Sequence, residues 1–443
     1  MARDDNRNDV NSDARDKAQS AWQIGDMLNR FCHCIDVDEA ALRESLEADL
    51  GKSDAYSKLL ETHPNLMAKS PVFVSREHID QMAEIIEAVE NVATLQPYRD
   101  LVLDWVPDIG RKLHGPRGVF FGYDFHLTKD GPKLIEINTN AGGALLILHL
   151  AAAQQACCPE VEGFVVGRLD PARLEKELVA MFRDEFHLQF PGKTLRRVAI
   201  VDEDPSSQFL GPEFVLFERM FDREGIDTII VGPDELNFRG GRLYASIGSI
   251  DLVYNRLTDF YLQSPGCGAL DQAYREEAVA LTPDPYAHAL YANKRNLTVF
   301  SDPDLMVSLG ADTRTAEVLA AGVPRTEMVI DDNEDSLWTE RKRLFFKPVW
   351  GFGSKGTYRG AKLTRRKWQE IRESDYIAQA LIPPSERLLV VDGNEQSLKL
   401  DVRCYVYDGF IQLLGARMYR GQTTNFRTDG GGLAAVFTTP VFT

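Results

Sequence analysis

Cysteine is scarce. Six thiols in 443 residues, two of them the adjacent Cys157 and Cys158, give no disulfide framework, and reduced cysteines are expected. Cys32-His33-Cys34 lacks the two-residue spacer and the second ligand pair of a zinc site, so it reads as part of a helix face or core. No apolar stretch approaches the roughly 20 residues needed to span a bilayer. Residues 1–19 are polar and lack the apolar core of a signal peptide, which makes the cytoplasm the expected compartment. Positive charge is also short. The net charge is −17 and no Lys/Arg-rich run stands out, which argues against nucleic-acid and anionic-membrane partners. A Walker A phosphate loop is missing.

What is present is an ordinary globular composition, 44% apolar and 26% charged, in a chain long enough for two or three domains. Residues 1–19 have the composition of a disordered tail. From residue 21 to about 113 apolar residues recur at helical spacing, as in Ile79, Met82, Ile85, Ile86, Val89 and Val92, and Pro64, Pro71, Pro97 and Pro107 mark breaks. Residues 144–156 read as an apolar core helix and 171–186 as a second helix.

Between these helices lie two apolar runs, Gly118 to Leu127 and Lys133 to Asn140, joined by a polar turn, the pattern of an antiparallel hairpin. Asp124, Glu136 and Asn138 stand alone among its hydrophobes, and isolated polar groups facing a core cost free energy unless something binds them. A three-residue loop at Lys129-Asp130-Gly131, with Gly131 left-handed, places Asp124 opposite Glu136, and Asn138 shares their face. Two carboxylates and an amide oxygen suit Mg²⁺ that also holds phosphate oxygens. The bland alternative is a solvent-facing hairpin edge.

Residues 197–201, 228–231 and 250–254 read as strands and 213–224 as a helix, an open parallel α/β unit that binds ligands beyond the carboxyl ends of its strands. Gln208 and Arg256 fall at those ends; an ion pair with Asp259 is the structural alternative for Arg256. Downstream, Leu344-Phe345-Phe346-Lys347-Pro348 is a buried strand carrying one lysine, which is rarely left unpaired in such a place, so a phosphate partner is expected. Gly351-Phe352-Gly353-Ser354-Lys355-Gly356 matches G-x-G-x-x-G, a weak signal by itself. No crossover helix follows, and the lysine precedes the loop, the reverse of the kinase order. Backbone N–H groups of such a loop can close over phosphates as a nest. Residues 399–409 alternate and turn at Asp408-Gly409 into a further hairpin strand, presenting Arg403 and Arg417.

Asp124 with Leu134-Ile135-Glu136-Ile137-Asn138 resembles the metal-binding strand pair of the ATP-grasp superfamily, and Glu136 to Gly143 is similar to the glutathione synthetases in particular. The pair comes early, as in the circularly permuted eukaryotic-type enzymes. The resemblance implies a mixed α+β and α/β chain: a circularly permuted ATP-grasp fold with an inserted open α/β substrate domain and a helical N-terminal layer. The tail (1–19) would be followed by helices and the metal hairpin (20–193), the substrate domain (194–285) and the rest of the ATP-grasp core (286–443).

It further implies ATP and Mg²⁺ as cofactors, with the metal on Asp124, Glu136 and Asn138. Lys294 and Lys347 would reach phosphates under a flap of Gly351, Gly353, Ser354, Lys355 and Gly356. Gln379, Ala380, Leu381 and Ile382 would form an adenine hinge, with Glu386 on the ribose. Arg403, Arg417 and Asn425 would act on the transferring group, and Arg256, Asn140 and Gln208 on substrate. The implied activity is an ATP-dependent carboxylate–amine ligase acting on small-molecule or peptide substrates, and a homo-oligomer is compatible with it. A regulatory or scaffold protein that keeps only nucleotide binding, or a phosphotransferase that stops at the phosphorylated substrate, is the alternative. One departure stands out: Trp350-Gly351 occupies the place where the family has a metal-binding Glu.

Overall fold

The computed structural model describes residues 23–51, 54–156, 170–351, 353, 355–391 and 393–439. The expected disordered tail, Cys157, Cys158 and Ser354 lie outside the described residues. In chain order the strands that shape the molecule are β1 (Val72–Ser75), β2 (Phe121–Thr128), β3 (Gly131–Asn138), β4 (Arg197–Val201), β5 (Asp227–Val231), β6 (Leu252–Asn255) and β7 (Ala280–Thr282). They continue with β8 (Thr326–Met328), β9 (Leu344–Pro348), β10 (Tyr358–Arg359), β11 (Tyr376–Ala380), β12 (Ser385–Val391), β13 (Asn394–Tyr407), β14 (Phe410–Tyr419) and β15 (Gly432–Thr439).

Three sheets organise them. The largest runs β1-β15-β14-β13-β2-β3, with β12 also paired to β13. It is antiparallel except where β1 meets β15. The early β2–β3 hairpin therefore joins strands drawn from the last sixty residues. The second sheet, β7-β6-β4-β5, is wholly parallel, as the strand–helix–strand reading of 197–254 requires. The third, β8-β11-β9-β10, is a small antiparallel layer.

Helix Arg76–Thr94 starts where Ser75 accepts a hydrogen bond from the His78 amide, and it buries Met82, Ile85, Ile86, Val89 and Val92. Those side chains share one core with Tyr123, Phe125, Val402 and Cys404 of the large sheet. Helix Ala144–Ala152 is buried on nearly all sides, so it is core, as its composition implies. Glu213 accepts from the amides of Gly143 and Leu145 at the start of that helix and supplies the cap its own sequence lacks.

The hairpin differs from expectation in one detail. Its turn has two residues, Lys129 and Asp130, with Thr128 paired to Gly131. That turn alone would set Ile135 opposite Asp124. A bulge intervenes: Phe125 pairs with Leu134 but Asp124 pairs with Glu136, so the extra residue Ile135 restores the facing carboxylates. Gly131 is left-handed as expected (φ 96°). No helix among the described residues is long and apolar enough to cross a membrane.

Arg387 of β12 fastens the N-terminal helical segment to the sheet. It is 1% exposed and donates to five carbonyls, those of Leu28, Asn29, Cys32, Pro71 and Leu388. Burial pushes its pKa down to about 10, and the carbonyl end of residues 23–31 offsets its charge. Arg387→Met is expected to cost about 3 kcal/mol, since several buried acceptors lose their donor at once. Hydrogen exchange should accelerate first in residues 23–31; unchanged protection there would remove the clamp from this account.

Candidate functional site

One cavity opens between the large sheet and the small antiparallel sheet. The β2–β3 hairpin contributes Asp124, His126, Glu136 and Asn138, and β9 contributes Lys347. Lys294 enters beside Gly351, Gly353 and Lys355. Gln379 to Pro384 and Glu386 close one side, while Lys399, Asp401, Arg417 and Tyr419 with Gln422, Thr423 and Thr424 form the other. Hairpin, lysines, glycine loop and hinge, which are far apart in sequence, thus meet in one place.

The charges are ordered by strand register. Asp124 lies directly opposite Arg403, and Asp401 directly opposite Arg417. Arg403 binds Asp124 through Nε and Nη2 at 2.7 and 2.8 Å, and Arg417 bridges Asp124 and Asp401 at 2.7 Å each. Asp124 is 2% exposed, and both its oxygens are committed to guanidinium groups. It orients two arginines and lines the cavity beside Glu136 and Asn138, so the expected triad comes together with one member already paired. Arg403 departs from expectation. It sits behind Asp124 and does not line the cavity, so Arg417 is the arginine that faces it.

Glu136 is surrounded differently. Burial alone would raise its pKa, but Lys294, Lys347 and Arg417 together outweigh that and hold it at about 2. Asn138 donates its amide to Asp124 and Glu136, leaving its carbonyl oxygen for another partner. An ionised carboxylate and an amide oxygen beside lysines fit Mg²⁺, which takes one or two protein oxygens together with phosphate oxygens. Lys347 is 4% exposed and donates to the carbonyl of the bulge residue Ile135 and to Gln379, both at 2.9 Å. Burial lowers its pKa to about 8 despite the nearby Glu136. Lys294 donates to the Gly351 carbonyl. Lys355 lines the cavity, and Gly356 accepts from the Tyr376 hydroxyl without lining it.

At the hinge, the Gln379 side chain lines the cavity while hydrogen-bonded to Lys347 and Thr326. The amides of Ala380 and Leu381 are already given to the carbonyls of Arg325 and Arg343, and the Ile382 carbonyl is bonded to His126 Nδ1 at 2.8 Å. Among the described residues the Ile382 amide has no such partner, so the hinge has less main chain to offer an adenine than expected. Glu386 lines the cavity and accepts from Ser397.

The remaining expectations separate. Asn425 does not line the cavity. Its amide donates to the carbonyls of Arg420 and Thr423 and its oxygen accepts from Arg427 and Thr428, so it shapes the loop that carries Thr424. Thr424 reaches the site, donating to Asp401.

Arg256, Asn140 and Gln208 lie together elsewhere, beyond the carboxyl ends of β4 and β6. Arg256 is buried against Tyr254, Phe214 and the acids Glu213 and Asp202, and Asp259 is not its partner. Gln208 donates to Asp202 at 2.6 Å. Asn140 donates to the carbonyl of Leu257. Burial, with Glu203 beside it and Arg256 opposing, raises the Asp202 pKa to about 7.

His126, Lys399 and Tyr419 escaped the sequence reading. His126 and Tyr419 lie two residues from Asp124 and Arg417, which it singled out, and Lys399 lies two from the cavity residue Asp401, so the period-two rule of a strand brings each to the cavity face.

No protein-family model matches this sequence, and no curated protein does. Among solved structures, a glutathione synthetase-like effector from Globodera pallida in the apo form matches with a TM-score of 0.54 at 12% identity, over 91% of this chain and 98% of that one. A Methylobacillus flagellatus protein provisionally assigned as a gamma-glutamylcysteine synthetase matches at 0.45 and 11% identity, over 81% of this chain and 87% of its own. An ATP-grasp ligase complexed with a minimal precursor matches at 0.27 and 11% identity, over 55% and 90%. The first carries a statement of fold alone: this chain shares the mixed α/β fold of that glutathione synthetase-like effector.

With burial lowering Lys347 to about 8, anion binding in this cavity is expected to depend on pH. Affinity for an ATP analogue is expected to fall about eightfold between about pH 7.5 and pH 9 as the lysine loses its proton, and Lys347→Arg should flatten the profile. Folding stability should move the opposite way. The unfolded lysine, at its ordinary 10.5, binds the extra proton between about pH 8 and that value, so stability rises across that window. An affinity that is level across this range would take Lys347 off the list of anion-binding groups.

Proposed function

We propose that this chain is an ATP-dependent carboxylate–amine ligase built on a circularly permuted ATP-grasp fold. The observation that carries the reading is Glu136 with Asn138 facing Lys294, Lys347 and Arg417 in one cavity. Cations to hold phosphates stand there beside oxygen donors for a divalent ion. Residues 20–193 and 286–443 would build the nucleotide site and 194–285 receive the substrates, in a cytoplasmic setting.

Lys294, Lys347 and Arg417 bind and align the phosphates, and the backbone at Gly351 and Gly353 covers them. Arg417 is fixed for this by Asp124 and Asp401, so its remaining donors need no reorganisation when charge moves. Mg²⁺ held by Glu136 and Asn138 would supply charge neutralisation at the phosphate oxygens. The substrate carboxylate attacks the γ-phosphorus and ADP leaves. The amine then attacks the acyl carbon, phosphate leaves, and the amine proton passes to solvent. Direct condensation of a carboxylate has a poor leaving group, and phosphorylation provides one.

The commitment of Asp124 to arginines, with Trp350-Gly351 in place of a flap carboxylate, also favours a second reading, in which nucleotide binding persists without chemistry. One paired experiment separates them: ATP binding with and without Mg²⁺, and single-turnover ADP formation with candidate amines, for the parent and Glu136→Gln. The variant should form ADP about a hundredfold more slowly or worse and lose the Mg²⁺-dependent part of binding. Because three cations face Glu136, it should also lose about 3 kcal/mol of stability above pH 4.5, the part that the parent loses as pH falls toward 2. Denaturation curves taken alongside the assay identify a fold effect. Normal turnover by a folded Glu136→Gln would exclude the proposed role.

A further inference from the structure

Residues 341–372 carry eleven lysines and arginines against the single acid Glu370, a local charge of +10 inside a chain of net charge −17. The small sheet gathers these cations. Phe345 of β9 pairs with Arg359 of β10, and the next pair is Phe346 with Tyr358. A Cβ on Gly360 would overlap the Arg341 carbonyl, so residues 341–343 and 360–362 run in direct contact. Arg341 and Arg365 stack on the Trp338 ring at 3.9 and 4.1 Å from its centroid.

Local acids neutralise only some of this charge. Glu370 pairs with Arg366 and Lys367, and Glu334 with Arg372. Lys342, Arg343, Arg359 and Lys362 are exposed and have no ion pair among the described residues. The patch borders the cavity. Phe345 and Arg359 line it, and the Arg343 carbonyl holds the amide of Leu381, another lining residue.

We infer that this basic rim is a steering surface that draws the anionic nucleotide to the cavity of an otherwise strongly acidic protein. The inference rests on the nucleotide reading above. Excluding these residues, the chain carries −27, a field that repels a polyphosphate, and a cluster of one sign at a cavity mouth reverses that field locally. Its effect belongs to association and weakens with salt, because the exposed cations act through solvent over about a Debye length, roughly 10 Å at 0.1 M. Lys294, Lys347 and Arg417 inside the cavity govern how long the nucleotide stays.

Stopped-flow association of a fluorescent ATP analogue with Mg²⁺, at low and high salt, tests this with the full chain. The triple variant Lys342→Gln, Arg343→Gln, Lys362→Gln leaves the cavity lining untouched, and Lys342→Arg, Arg343→Lys, Lys362→Arg keeps its charge. The neutralised protein should associate about fivefold more slowly at low salt, with its dissociation rate unchanged and the difference gone at high salt. The charge-preserving protein should match the parent. Parental association by the neutralised protein, or a loss that lies in dissociation and persists at high salt, overturns steering while leaving the nucleotide reading intact. A parent that binds no analogue at either salt removes both.

Discussion

The site depends on a buried lattice of two acids and two arginines. Asp124, Arg403, Arg417 and Asp401 link β2, β13 and β14, and every member is nearly closed to solvent. Such a lattice is a poor source of net stability, since desolvating four charges offsets much of their attraction. Its value is orientation. The Arg417 fork is fixed on two carboxylates in a chosen plane, so the strand pairing of the large sheet is translated into the direction of a guanidinium in the cavity. Gly122 makes room for this: a Cβ there would lie 3.0 Å from Arg403 Nε and 2.6 Å from the Ala141 side chain.

The bulge at Ile135 does two things at once. It returns Glu136 to the face of Asp124, and its carbonyl receives the Lys347 ammonium from the small sheet. Bulges end regular pairing and re-aim the groups beside them. Here the re-aimed groups are a carboxylate and a carbonyl that meet the same lysine from one strand. His126 and Ser385 add further ties from the hairpin to the hinge side, through the Ile382 and Leu127 carbonyls. The β2–β3 hairpin is therefore tied by direct hydrogen bonds both to residues 382–385 and to Lys347.

Much of this was legible in the residues. The helix over Arg76–Thr94 followed from its apolar spacing and the parallel sheet from alternating strand and helix patterns. Glu136, Asn138, Lys347 and Arg417 were identified as polar groups in apolar surroundings or as parts of a hairpin and Lys294 through the family resemblance, and all five line one cavity. The charge of 341–372 was not recognised, because it is spread over strand, loop and helix and becomes a surface only when the small sheet folds it together.

What the sequence determined by itself was the kind of element and the face each side chain occupies, since periods of 3.6 and 2 are local properties of the backbone. What only the tertiary structure decided was which partner each charge meets. Arg403 and Arg417 look alike in sequence, yet one is spent on Asp124 and the other faces the cavity. Asp124 looks like a ligand and holds arginines, and Asn425 looks like a contact and closes its own loop. Pairing across a sheet joins residues as far apart as the 279 positions between Asp124 and Arg403, and register, set here by a one-residue bulge, cannot be read from either strand alone.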